Sequence, residues 1–240
     1  MRLSKSGLFA YLKCPYAFYL QYEKGQRFEP TPEMSAGSEF HDQANKLFDR
    51  VSLQELADQT SIYGIERYIR SLLPGEGSVY DHFSHMQTVH YMTLNNKSEF
   101  IPIVRESKIV AENAPDWCLD VGIIDRIDRV DGKNILIEYK SGSFQSSINQ
   151  ELMMYKVLYE FVTHQKIDYV CALFPKELYG TKLPSGVYFK KPSNEHIARK
   201  KVAYVKQSIR DKKWDKESNA CVWCGVADTC YANDTSLEVT

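Results

Sequence analysis

Asp120-Val-Gly-Ile-Ile-Asp-Arg-Ile-Asp128, followed by Asn134-Ile-Leu-Ile-Glu-Tyr-Lys140, decides how this chain folds. Both segments are rich in aliphatic and β-branched residues, and Asp131-Gly132 between them is a strong hairpin signal. Side chains alternate between the faces of a strand, so Lys140 shares a face with Glu138, and Asp128 lies opposite Asp125. Two carboxylates, Asp125 and Glu138, therefore project from paired strands beside a lysine. Such a trio suits phosphodiester hydrolysis: the carboxylates hold a hard divalent cation, and the ammonium orients the nucleophile or stabilises developing negative charge. A hairpin with outward-facing charges is the weaker alternative, because Ile123, Ile124, Ile135, Leu136 and Ile137 mark a buried sheet in which unpaired charges are costly.

Upstream, residues 4 to 24 read as a helix opened by Ser4 or Ser6, interrupted at Cys14-Pro15 and ended near Gly25. A second helix is expected from about Ser35 to Arg50, then helical stretches near 53–73 and 80–95 on either side of Pro74-Gly-Glu-Gly77. Strands are expected at Phe100–Glu106, Trp117–Val130 and Ile135–Lys140. A helix from about Ser146 to His164, strands at Tyr169–Phe174 and Val187–Lys190, and a basic helix from about Asn194 to Arg210 follow. A hairpin sheet, a crossover helix and a further strand make this an α/β chain with a mixed central sheet flanked by helices. The expected organisation is a single domain over 1–240, with a helical insertion at 51–97.

The 240 residues suffice for one sizeable core, and 43% hydrophobic with 12% aromatic content is ordinary globular composition. No apolar stretch approaches the ~20 residues that span a bilayer, and the opening Met-Arg-Leu-Ser-Lys-Ser-Gly lacks a secretory h-region. No membrane partner and a cytoplasmic location are therefore expected, with cysteines reduced or metal-bound. A net charge of −1 gives no support to non-specific nucleic-acid affinity of the chain as a whole, so such binding must come from a local patch. The late basic runs Phe189-Lys-Lys191, Arg199-Lys-Lys201 and Arg210-Asp-Lys-Lys213 read equally as solvated faces or as a backbone-contacting surface. His82, His85 and His90 fit a solvated helix better than a zinc site. No P-loop, dinucleotide fingerprint or nucleophile elbow is present.

His41 in Gly37-Ser-Glu-Phe-His41, Asp125 in Gly122-Ile-Ile-Asp-Arg-Ile-Asp128, and Glu138-Tyr-Lys140 resemble, in order and spacing, the successive motifs of the RecB-like branch of PD-(D/E)XK nucleases. The resemblance implies a restriction-endonuclease-like core and a Mg²⁺- or Mn²⁺-dependent DNA nuclease. It places His41, Asp125, Glu138 and the backbone carbonyl of Tyr139 on the metal, and makes Asp125, Glu138 and Lys140 catalytic. Glu106 stands where the family sometimes has a supporting acid, and reads equally as a surface glutamate. The family's Gln-x3-Tyr motif departs here: Tyr155 is preceded at the right spacing by Glu151, with Gln150 rotated by about 100° on the helix. Glu151 replaces the glutamine, or the helix begins differently; Tyr155 is a candidate for contacting DNA or supporting Lys140.

Cys221-x2-Cys224-x5-Cys230 has metal-ligand spacing that suits zinc or an iron–sulfur centre alike. The stretch Leu3-Ser-Lys-Ser-Gly-Leu-Phe-Ala-Tyr-Leu-Lys-Cys-Pro-Tyr-Ala-Phe-Tyr19 resembles the N-terminal helix of iron–sulfur RecB-like nucleases, including CRISPR-associated adaptation nucleases and AddB-type helicase-nucleases. That resemblance implies a [4Fe-4S] cluster on Cys14, Cys221, Cys224 and Cys230, joining segments 1–24 and 214–240. Cys118 and Cys171 read as small core residues. The expected activity is that of an exonuclease on single-stranded DNA or DNA ends, in CRISPR adaptation or in DNA repair and recombination, with integrase or helicase partner proteins. The alternatives are a DNA-end-binding module that does not cut, and a zinc-stapled nuclease.

Overall fold

The computed structural model describes residues 1–26, 30–217, 221 and 224–230. Its centre is a mixed sheet of strands β1 (Val104–Val110), β2 (Val121–Val130), β3 (Lys133–Tyr139), β4 (Tyr169–Leu173) and β5 (Val187–Lys190), lying side by side in that order. The β2–β3 turn is the one the sequence announces. Asp131 (φ 48°) and Gly132 (φ 73°) both take the left-handed conformation between the paired Val130 and Lys133, as a two-residue primed turn requires. β3 and β4 run parallel, joined by the crossover helix α7 (Ile148–Thr163), and the other neighbours are antiparallel.

Helices α1 (Lys5–Lys13), α7 and α8 (Glu195–Arg210) contribute to one apolar layer, with Leu8, Leu152 and Val202 meeting Ile124, Ile127 and Leu136 of the sheet. The other layer gathers Phe40 and Leu47 of α3 (Pro32–Arg50), Leu56 of α4 (Leu53–Ala57), Ile69 of α5 (Ile62–Ser71) and Phe83 of α6 (Ser78–Thr93) over Ile137, Tyr139 and Leu173. The short helix α2 (Pro15–Phe18) continues α1 after the break at Cys14, whose side chain caps it. Among the described residues no helix is long and apolar enough to cross a membrane.

Boundaries differ from the sequence expectation at the first strand. Lys97–Phe100 form a 3-10 turn anchored by the Asn96 side chain, and β1 begins only at Val104. Phe100 is fully buried against Phe48 and Tyr91, so its aromatic side chain fills the core from a turn and not from a strand.

Alternation also breaks in β2. Gly122 and Ile124 face α7, where a Cβ on Gly122 would meet the Leu158 and Tyr155 side chains at 2.8 and 2.9 Å. Arg126 and Asp128, of the same parity, face α6 instead. The reversal falls at Asp125, opposite Glu106, which holds a left-handed φ of 41°. Asp128 therefore lies away from Asp125, though not through unbroken alternation.

The Arg126–Asp128 pair anchors this part of the core. The guanidinium forks onto both Asp128 oxygens at 2.6 Å and donates to Gln87 at 2.8 Å, under the Phe48 ring. Burial disfavours the Asp128 charge, but Arg126 outweighs it and holds the carboxyl below its usual range. Removing the carboxylate leaves a buried guanidinium unpaired, so Asp128→Asn should destabilise the fold by about 3–5 kcal/mol in denaturant unfolding. A depressed carboxyl stabilises the fold above its unfolded pKa, near 3.9, and that stabilisation is lost as pH falls through the folded value. Wild type should lose stability below about pH 4 more steeply than Asp128→Asn; parallel curves would contradict the assignment.

Candidate active site

The site forms where β2 and β3 part. Their ladder runs up to the Arg126–Ile137 pair, and beyond it the Asp125 carboxylate replaces a backbone acceptor, taking the Tyr139 amide proton at 2.8 Å. β3 continues regularly against β4, with Glu138 opposite Ala172 and the Lys140 amide donating to the Leu173 carbonyl at 2.9 Å. Glu138 and Lys140 thus face α1 and α7, while the Tyr139 ring packs between Phe40 and Phe83.

On the α3 side, His41 Nδ1 lies 3.4 Å from Asp125 Oδ2. His41, Glu106 and Asp125 bring a ring nitrogen and two carboxylate oxygens within 4.8 Å of one another, the single such group of His, Cys, Asp and Glu among the described residues. Its electrostatics are those of a cation site. Burial, reinforced by the Glu138 charge, raises the Asp125 carboxyl above its usual value against the pull of His41. Burial and the Asp125 charge push the Glu106 carboxyl up to about 6, and its Oε1 is buried without a hydrogen-bond partner. Burial lowers the His41 pKa, but its bond to Asp125 and the surrounding negative charge raise it overall. An orphaned carboxylate oxygen beside two further donors, one nitrogen and the rest oxygen, fits Mg²⁺ or Mn²⁺.

The α1 side is a cationic counterpart. Glu138 Oε1 accepts from Lys5 at 2.7 Å and from Lys140 at 3.0 Å, while Lys140 also donates to Glu151 at 2.7 Å. Burial opposes the Glu138 charge, yet Lys5 and Lys140 outweigh it and hold the carboxyl below its usual range. Lys5 stands 4.6 Å over the Tyr155 ring. Of the two candidates on α7, Glu151 points into the site, whereas Gln150 accepts from Lys201 of α8. Glu138 and the Tyr139 amide adjoin the His41–Glu106–Asp125 group without being part of it.

Sequence reasoning assigned Lys5 no role. The signal was available: a lysine at the first position of α1, just after the Ser4 cap, opposes the positive helix N-terminus and so calls for an anionic partner. Glu106, left open by the sequence, is brought into the site by its left-handed backbone. The histidines of α6 take separate polar partners, His82 the Pro175 carbonyl, His85 Glu66 and His90 Asp128.

The expected four-cysteine cluster is not assembled in this structure: among the described residues, Cys14, Cys221, Cys224 and Cys230 form no group of ligand atoms within 4.8 Å. Thiols have no mutual attraction without an ion between them, and the Cys14 sulfur instead caps α2 by accepting the Ala17 amide at 3.4 Å. Parts of the 214–240 segment, residues 218–220, 222–223 and 231–240, lie outside the described residues. Cys118 and Cys171 are buried core residues, their thiols pushed up by burial to about 11 and about 12.

The family model for the PD-(D/E)XK nuclease superfamily matches residues 2–231. The chain belongs to the PD-(D/E)XK nuclease superfamily. Membership implies metal-dependent cleavage of phosphodiester bonds in DNA, and the mixed sheet with flanking helices agrees with the restriction-endonuclease-like core of these nucleases. No curated protein matches the chain.

A divalent ion bound by this nuclease at His41, Glu106 and Asp125 predicts a graded calorimetric response to Mn²⁺. Asp125→Ala should abolish binding, and Glu106→Gln should weaken it at least about tenfold. Gln150→Ala should leave it unchanged; equal affinity in all three variants would disprove the ligand set.

Proposed function

We propose that this chain is a RecB-like DNA nuclease that uses Mg²⁺ or Mn²⁺ to hydrolyse phosphodiester bonds, acting as an exonuclease on single-stranded DNA or DNA ends. The observation that carries this reading is the meeting of a His41–Glu106–Asp125 donor group with the Glu138–Lys140 pair at one sheet end. In it, His41, Glu106 and Asp125, together with Glu138 and the Tyr139 carbonyl, hold the ion. When bound, the ion polarises the scissile phosphate and acidifies a water.

The chain's own groups divide the remaining work. Lys140, steadied by Glu138 and Glu151, offers an ammonium to the nucleophile or to the charge developing on the phosphate. Lys5 keeps Glu138 ionised, and Tyr155 closes the floor of the site beneath Lys5. The chain carries no helicase motif, so any unwinding falls to a partner such as a helicase in repair or recombination, while in CRISPR adaptation an integrase partner would receive the trimmed ends. The cytoplasm, where thiols stay reduced, suits both settings. The whole of 1–240 acts as one nuclease domain, with 51–97 a helical insertion.

For the cysteines the same reading assigns a [4Fe-4S] cluster on Cys14, Cys221, Cys224 and Cys230, joining 1–24 to 214–240. Supporting it, the Tyr16 amide donates to the Asp215 carbonyl at 3.1 Å, Tyr11 donates to the Lys213 carbonyl at 2.7 Å, and Trp214 stacks on Phe18 and Tyr19. These contacts already hold the Cys14 region beside the start of the cysteine-bearing segment.

With end-labelled single and double strands and Mg²⁺ or Mn²⁺, wild type should cut, and Asp125→Ala and Lys140→Ala should each lose about 10²-fold or more. Cutting that is equal in wild type and both variants would remove the catalytic assignment. Protein purified without air should be brown, with iron and labile sulfide, and Cys14→Ser should lose both. A colourless protein with stoichiometric zinc would establish the zinc-stapled form instead.

A further inference from the structure

Tyr179 is a bulky aromatic residue held at φ 64°, a conformation that side chains of this size avoid, and it is 75% exposed. Its loop is pinned on both sides. The Tyr179 amide donates to the Pro184 carbonyl at 2.9 Å and the Gly180 amide to the Glu177 carbonyl at 2.7 Å. A Cβ at Gly180 would sit 2.8 Å from that carbonyl, so only glycine permits the turn. Glu177, itself buried, accepts the Phe144 amide at 2.8 Å. The cost of an exposed, strained tyrosine is thus met by surrounding structure, and nothing in the packing of the core uses the ring.

What the ring does meet is imidazole. His82 lies edge-on to it with ring centres 5.9 Å apart, and His85 is tilted against it at 6.3 Å. His82 is fixed by the Pro175 carbonyl at 2.7 Å and His85 by Glu66 at 3.4 Å, so the three rings form a supported cluster with the broad Tyr179 ring presented to solvent. Exposed Lys176 stands three residues before it.

The cluster sits at the catalytic end of the sheet. Leu173, whose carbonyl accepts the Lys140 amide, precedes Tyr179 by six residues, a reach of at most about 20 Å. Glu177 ties the tyrosine's turn to Phe144, in the loop that leaves Lys140. That loop borders a cavity of about 120 Å³ whose lining includes Lys140, Gln145, Glu151 and Phe174. Every nucleobase has a π-face, and nucleases and other proteins that bind single strands without sequence preference combine such rings with cations.

We propose that Tyr179, backed by His82 and His85, is a stacking platform for a base of the single-stranded DNA whose backbone enters the active site. This rests on the nuclease reading and adds a positioning residue to it. Tyr179 touches no reacting atom; it holds the strand a few nucleotides from the scissile bond, and the exposed Lys176 offers a cation to the adjoining phosphate.

The test compares binding of a fluorescent oligothymidylate with binding of the same strand made abasic over its central nucleotides, by anisotropy in EDTA, for wild type, Tyr179→Ala and Tyr179→Trp. Tyr179→Ala should weaken binding of the base-bearing strand about tenfold, Tyr179→Trp should retain it, and the abasic strand should bind all three proteins alike. In Mg²⁺ the Tyr179→Ala defect should appear in KM and not in kcat. Tyr179→Gly should melt no lower than wild type, since glycine relieves the strained φ, yet bind as weakly as Tyr179→Ala. Equal affinities of wild type and Tyr179→Ala for the base-bearing strand, or an equal loss on the abasic strand, would overturn the platform. Base-dependent binding without cutting by wild type would instead refute the nuclease reading and leave the platform standing.

Discussion

The hydrogen bond from the Tyr139 amide to the Asp125 carboxylate is the constraint on which the site depends. It sits where a backbone carbonyl would have continued the β2–β3 ladder, so the strands part at that point without leaving the amide unsatisfied. Parting them opens space for His41 from α3 and for Glu106 from β1. Glu106 reaches that space because its own backbone turns left-handed at the step opposite Asp125. One side-chain-to-backbone bond thereby converts a regular sheet into one with a polar notch at the C-terminal end of β3, flanked by two apolar layers.

The notch has two poles. On one side, burial and neighbouring carboxylates raise the proton affinity of Asp125 and Glu106, and one Glu106 oxygen is left without a partner. On the other, Glu138 is kept ionised between Lys5 and Lys140. Charges buried this deeply persist only where they are paired or where a ligand compensates them. The Arg126–Asp128 fork, one strand position away, shows the first case, a pair already closed within the protein. The His41–Glu106–Asp125 group has no such closed pair, its Glu106 Oε1 lying without a partner, and the PD-(D/E)XK superfamily is one of metal-dependent nucleases.

Much of this was legible in the sequence because local rules governed it. Asp131-Gly132 specified the primed turn, aliphatic runs specified the strands, and Cys14-Pro15 marked the break between α1 and α2. The four-residue offset of the first strand was not, since Phe100 and Ile101 look strand-like, but Phe100 is buried from a 3-10 turn and Ile101 partly buried at its exit. Nor was the reversal at Asp125, which depends on a left-handed glutamate that no period-two pattern announces. Lys5 lies more than a hundred residues from Glu138 and reaches it only because Leu3 pairs with Asp120 beside the sheet. Gln150 and Glu151 show the sequence posing a question that a helix register answers: one faces Lys201, the other Lys140.

The most direct measurement of the central claim is anomalous diffraction from crystals of the protein soaked in Mn²⁺. The account predicts a manganese peak in the notch, with His41, Glu106 and Asp125 each contributing a ligand atom at about 2.0–2.3 Å and the Tyr139 amide still bonded to Asp125. Manganese found only elsewhere on the protein, with the three side chains placed as they are now, would contradict it.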